Sequence, residues 1–317
     1  MYFPYLRGRQ FELLALRDLI ENDRLSENVI PVVEPVKLSS TLVSMMAEFI
    51  KARRNISIIS NPEVGSFNSE MKEAQKKTLE AGYRQRFLEQ FSDPVIIKSI
   101  IMKDNARAYI NFLTKKGLNY NDLLIINANR DYLDDYEKIF KDLNPKYVLV
   151  PDEGAFRRRV NGHKVLLDDK FEKQDRNADY KITEDEFFSD DHIYYKEDGF
   201  VGFSDYSVVG NEYLEAGFAP YAVAIHIVYF AQDKTLRVKH FVSDSNEDIT
   251  NPAKKFYQAV SKLNDWYGKN DSKVELTLGL KTFLDHFKNQ SYPGLGTVKK
   301  LSLMHHIELM GRYLSGE

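Results

Sequence analysis

Residues 28–37 read NVIPVVEPVK, a run of β-branched residues that closes on a carboxylate, a proline and a lysine just before a helical pattern. Ile30 and Val32 share a parity with Glu34, so a strand here carries an acid at its carboxyl end on the same face as two apolar side chains. Ser39 and Ser40 then offer N-caps for a helix over 42–53. A strand, a polar tip and a helix, repeated, is the pattern of a parallel sheet whose working edge lies at the strand C-termini.

The unit recurs along the chain. Residues 2–6 make a short aromatic strand, followed by a helix with Phe11, Leu14, Leu16 and Leu19 on one face. ISIIS (56–60) ends in Asn61-Pro62 and precedes a charged helix over 69–91. PVIIKSII (94–101) precedes a helix closed by Gly117, and LLIIN (123–127) one over 131–143. KYVLVP (146–151), KVLL (164–167) and DGFVGFSDYSVVG (198–210) complete a set of eight. Most are continuous apolar runs, as expected of strands covered on both faces. This alternation favours a (β/α)8 TIM-like barrel as a single domain over 1–317, with a doubly wound open α/β sheet as the alternative.

Two longer runs, YAVAIHIVYF and LRVKHFVS, flank the turn AQDKT and define an antiparallel hairpin over 221–243. A turn that short cannot make a parallel crossover, so the hairpin is expected as an insertion after the eighth strand, capping or projecting from the barrel mouth. Helices are expected over 252–317. The stretch 171–191, rich in Asp, Glu and Lys, reads as a solvated helix or loop.

Composition narrows the function. A net charge of −3 over 317 residues lacks the basic field that holds a phosphate backbone, so nucleic acid is not a favoured partner. The absence of cysteine excludes disulfides, thiolate nucleophiles and cysteine-ligated metals. The N-terminus shows no charged leader with an apolar core, and no window approaches the roughly 18 apolar residues of a membrane span. A soluble cytoplasmic protein without a membrane partner is the expectation.

Choosing one parity per strand collects a polar ring at the mouth: Arg7, Glu34, Asn61, Lys98, Asn127, Asp152, Asp168 and Asp205. An error of one residue in a strand would substitute Glu153 or Asp169. Lys98, alone within an apolar strand, reads as an electrostatic clamp, an acid/base or an imine-forming amine, or structurally as an ion pair with Glu34 or Asp152. Lys98, Glu34, Asp152 and Asp205 are the candidate catalytic set, with Arg7, Asn61, Asn127, Asp168 and His240 as ligand-binding candidates. The carboxylates Glu34, Asp152, Asp168 and Asp205 suit Mg²⁺ or Mn²⁺, although their spacing matches no metal signature.

If Phe230 pairs with Leu236, His226 stands opposite His240, a pair that titrates together, holds a metal or simply packs. His305 and His306 are adjacent on a helix, point to different sides and read as structural. GLGTVKK (294–300) has the ingredients of an anion site at a helix start but not phosphate-loop spacing, so an ordinary helix connection is preferred.

YFPYLRGRQFELLAL (2–16), IPVVEPVK (30–37), GFSDYSVVG (202–210) and HFVSD (240–244) together resemble the uncharacterised bacterial and phage "beta protein" family. The resemblance implies a bacterial protein on mobile or phage-linked DNA, often beside a second small gene, and hence a part in phage defence with a protein partner encoded nearby. Self-association is left open, and no catalytic residue is carried over. Two classes follow: an enzyme, hydrolase or lyase, acting on a small or nucleotide-like ligand at the strand ends, or a non-catalytic binding or assembly subunit that docks a partner protein.

Overall fold

The computed structural model describes residues 1–74, 78–215 and 220–316. Its strands are β1 (Tyr5–Leu6), β2 (Val32–Val33), β3 (Ile56–Ile59), β4 (Ile96–Ile101), β5 (Leu124–Ile126), β6 (Tyr147–Val150), β7 (Lys164–Leu167), β8 (Asp185–Ser189), β9 (Gly202–Ser204), β10 (Ala224–Phe230) and β11 (Leu236–Val242). Helices α1 (Gln10–Glu21), α2 (Ser40–Ala52), α3 (Phe67–Glu73), α4 (Thr78–Phe91), α5 (Ala106–Lys115), α6 (Leu133–Phe140) and α7 (Gly154–Arg159) alternate with the first seven strands. The short α8 (Asp191–Tyr194) precedes β9, and α9 (Pro252–Asn270), α10 (Leu278–Lys288) and α11 (Leu295–Ser315) follow the last strand.

Eight strands, β1 to β7 and then β9, form one parallel sheet in chain order, the order of a barrel and not of a doubly wound sheet. The sheet comes round to a near-closed barrel where the N-terminus meets β9. Phe3 N donates to Phe203 O at 2.8 Å, Tyr5 N to Asp205 O at 2.8 Å, and Phe203 N to Met1 O at 3.1 Å. Gly202 makes that seam narrow enough, because a Cβ there would lie 2.7 Å from Met1 O and 2.8 Å from the Phe3 ring.

Strand register shows which side chains point inward. Neighbour by neighbour, the pairs Val32↔Ser57, Ser57↔Ile97, Ile59↔Ser99, Ser99↔Leu124, Leu124↔Tyr147, Leu149↔Val165 and Val165↔Gly202 put these residues on one face. On that face the Phe3 ring meets the Tyr147 ring edge-on at 4.8 Å, although β1 and β6 are not neighbours in the sheet. This face is therefore the barrel interior. Glu34 and Asn61 continue the inward parity of their strands, and Arg7 that of Tyr5. Lys98, Asn127, Asp152, Asp168 and Asp205 continue the other, which corrects the expected ring by one residue in each of five strands. Where both faces of a strand are apolar, alternation carries no signal for which residue is in.

Two further expectations are corrected. Residues 171–191 are not all loop, since they contain β8, which pairs antiparallel with β11 and turns the hairpin into a three-stranded sheet β10-β11-β8. The helix expected over 69–91 divides into α3 and α4, and residues 75–77 of that expectation lie outside the described residues. The hairpin register is as expected, Phe230↔Leu236 and His226↔His240.

Where a single domain was expected, contacts divide the chain into two compact units. One comprises Met1–Leu13, Glu27–Asp168 and Tyr194–Asp205 and holds the whole barrel sheet. The other comprises Leu14–Ser26, Asp169–Ile193 and Tyr206–Glu317, with the three-stranded sheet packed by α9 and α11, and α10 against both helices. Among the described residues no helix is long and apolar enough to cross a membrane.

The closing seam makes a paired prediction. Gly202→Ala drives a methyl into Met1 and Phe3 and should destabilise by about 1–3 kcal/mol. Gly82→Ala, in α4 with nothing within 4 Å of the added methyl, should stabilise by about 0.5–1 kcal/mol. Urea midpoints measure both, and a neutral Gly202→Ala would contradict the seam.

Candidate functional site

The strand ends are dominated by Glu34, which is wholly buried just after β2. Its Oε2 accepts from Tyr5 Oη at 2.8 Å and from an Arg7 guanidinium nitrogen, and its Oε1 accepts from the backbone nitrogens of Glu63 at 2.6 Å and Val64 at 3.2 Å. Lys103, just past β4, donates to Pro62 O at 3.0 Å; burial lowers its pKa, opposed by Glu63 and Glu34. Asn61 bonds both ways to Ile101, Nδ2 to the carbonyl at 2.8 Å and Oδ1 from the amide at 2.9 Å. Arg7 and Glu34 are thus bonded to each other and Asn61 to the Ile101 backbone, contacts that tie neighbouring strand ends and loops together.

The remaining expected members do not join it. Asp152 is exposed and held by both nitrogens of an Arg157 fork, one contact at 2.8 Å. Asp205 accepts from Tyr2 Oη at 2.7 Å, and Asp168 is exposed at the end of β7. Among the described residues no three Asp, Glu or His side chains are grouped to hold a metal ion, so the proposed Mg²⁺ or Mn²⁺ set is not assembled. Asn127 is wholly buried at the end of β5, and neither polar atom of its side-chain amide has a partner among the described residues.

Lys98 is the largest departure. Its side chain leaves the outer face of β4 and turns back to donate to Asp93 O, before the strand, at 2.9 Å. It is 8% exposed, lies 5.6 Å from the Phe91 ring centre, and no carboxylate lies within ion-pair distance among the described residues. The expected pairing with Glu34 or Asp152 is absent. Burial lowers its pKa, against the weaker opposing pull of Asp93 and Asp122.

The space Lys98 borders is a cleft of about 630 Å³ between β4 and helices α3, α4 and α5. Phe67, Met71, Phe87, Phe91, Phe112 and Leu113 give it apolar walls. Lys72, Arg84 and Lys116 join Lys98 on the lining, and no acidic side chain does among the described wall residues. Sequence reasoning missed this site because its walls come from three helices. The available signal was a set of aromatics at helical spacing, Phe87 with Phe91 and Tyr109 with Phe112, among unpaired-looking cations.

In the second unit, His240 Nε2 lies 3.1 Å from Glu186 Oε1, and His240 Nδ1 lies 2.7 Å from His226 Nδ1. With both rings neutral, Glu186 accepts from His240 Nε2–H, His240 Nδ1 accepts from His226 Nδ1–H, and His226 Nε2 is left with a lone pair. Rings of Tyr180 and Phe171 pack over the pair, with His226 4.7 Å from the former and 5.1 Å from the latter. Burial lowers the pKa of both, for His226 joined by His240 and Lys299, for His240 opposed by Glu186 and Asp185. His305 bonds Thr277 Oγ1 and Val228 O, and His306 bonds Ser207 Oγ. Both rings are wholly buried.

This geometry defines a barrel-type α/β protein with a hydrogen-bonded strand-end lattice around Glu34 and a cationic, apolar cleft on the barrel's outer face. The chain matches no family model, no curated protein and no solved structure.

The buried imidazoles set a pH dependence. Burial pushes His305 down to about 4 and His306 to about 3, below the ordinary 6.5. Because the folded state binds fewer protons than the unfolded, stability is full above pH 6.5 and falls steadily toward those lowered values. His305 and His306 should together cost about 2–3 kcal/mol in urea unfolding between roughly pH 7.5 and pH 5.5, where most carboxylates stay ionised, and the lowered His226 and His240 add to that loss. A flat profile over that range would contradict neutral burial.

Proposed function

We propose that this chain is a binding module in which the barrel serves as scaffold and the outer cleft takes a small molecule with an apolar body. The carrying observation is the cleft itself. At about 630 Å³ it falls within the roughly 300–1,000 Å³ of ordinary ligand sites, with mostly apolar walls and few polar groups. Binding is favoured over turnover because the strand-end acids Glu34, Asp152 and Asp205 are each engaged by a donor from the chain itself. A general acid or base must also lie within hydrogen-bond reach of a substrate proton, and none of the three lines the cleft.

The resemblance to the phage-linked "beta protein" family extends the proposal to its setting, a bacterial cytoplasmic protein in phage defence that passes ligand occupancy to a partner encoded nearby. A second reading, a polar or nucleotide-like ligand at the strand ends, draws on Asn127, whose buried amide offers a donor and an acceptor without partners among the described residues.

The neutral fluorophore N-phenyl-1-naphthylamine tests the cleft. It should bind with one-to-one stoichiometry. Phe112→Ser and Leu88→Ser alter wall residues that are 53% and 42% exposed, so the fold is spared. Each should weaken binding by about tenfold, the loss of one apolar wall contact. Unchanged affinity in both variants would move the site elsewhere.

A further inference from the structure

The cleft holds an amine that the described residues leave without a counter-charge. Lys98 is more than nine-tenths buried, yet its one hydrogen bond is to a neutral carbonyl, Asp93 O, and no carboxylate is within ion-pair reach among the described residues. A buried charge is ordinarily paired, because desolvation costs several kcal/mol that only an opposite charge or dense hydrogen bonding offsets. An ammonium has three donors, and this one has two to spare. The cost is visible in the direction of its titration, with burial drawing the pKa down.

The rest of the cleft repeats the sign. Lys72 and Lys116 are exposed at its edge, Arg84 is half-buried with Nε bonded to Met71 O at 3.1 Å, and Lys116 sits 4.7 Å over the Phe112 ring. Between these cations and Lys98 the walls are aromatic and aliphatic. Overall the chain is acidic, so a lining with four cations and no described acid runs against its composition. Such a field disfavours an amine or a zwitterion and favours an anion.

We propose, resting on the reading of the cleft as the ligand site, that its ligand is a monoanionic amphiphile, an alkyl or aryl chain ending in a carboxylate that pairs with Lys98. The chain lies against Phe87, Phe91 and Phe112. The carboxylate accepts the two idle donors of Lys98, supplying the missing counter-charge. Apolar burial provides affinity for any such chain, and the lysine selects among head groups.

Displacement of N-phenyl-1-naphthylamine by dodecanoate, dodecanol and dodecylamine, each below its critical micelle concentration, tests this. Dodecanoate should bind at least about tenfold more tightly than dodecanol, and dodecylamine more weakly than either. Lys98→Met, which replaces a buried charge by an apolar chain and so leaves the fold intact, should bring dodecanoate and dodecanol within about twofold. Lys98→Arg should keep the preference, as should Lys116→Gln at the edge. Equal affinities for the three compounds in the unsubstituted protein would overturn the carboxylate assignment while leaving the cleft a ligand site. A preference that survives Lys98→Met and fails in Lys116→Gln would overturn the role of Lys98. If none of the compounds nor the fluorophore binds, the cleft reading itself falls and the inference with it.

Discussion

The Glu34 carboxylate is the constraint on which the barrel unit is built. Wholly buried, it takes its donors from the end of β1, through Tyr5 and Arg7, and from the loop after β3, through the amides of Glu63 and Val64. Removing one partner of such a buried pair ordinarily costs about 3–5 kcal/mol, so these segments are held together. The same loop then hangs on the β2–α2 connection: Ser66 N and Phe67 N both donate to Val36 O, and Gly65, at φ +76°, passes so close that a Cβ would lie 2.3 Å from that oxygen. Glu70 of α3 completes the link, accepting from Ser66 Oγ and Leu38 N at 2.6 Å each. The position of α3, and with it Phe67 and Met71 of the cleft wall, thus follows from a carboxylate at the end of β2.

Much of this fold is written in local sequence. The repeat of strand, polar tip and helix gives the strand order, and the AQDKT turn fixes the hairpin register closely enough to set His226 against His240. Glu34 was legible because Ile30, Val32 and the acid share one parity, and Arg7 and Asn61 fall in with it. From β4 onward the strands are apolar on both faces, so IIKSII or YVLV gives no sign of which alternate residue faces in. Lys98 then looks like a mouth residue when it is an outer one. β8 was hidden for a different reason: DEFFS is a charged edge strand with Phe187 54% exposed and Phe188 buried, a composition that reads as loop until a partner strand is known. The cleft was invisible because no single segment contains it.

The two polar regions of the barrel unit divide their work by saturation. At the strand ends nearly every charge has a partner from the chain, which gives a rigid edge and leaves Asn127 as the exception. On the outer face of β4 the Lys98 ammonium stands beside apolar space with no such partner among the described residues. Location therefore separates this account from a barrel that works at its mouth. Hydrogen–deuterium exchange with and without dodecanoate reads location directly. Exchange should slow in residues 67–73, 84–92 and 109–118 and stay unchanged in 7–9, 34–37 and 61–65. Protection confined to those strand-end segments would contradict it.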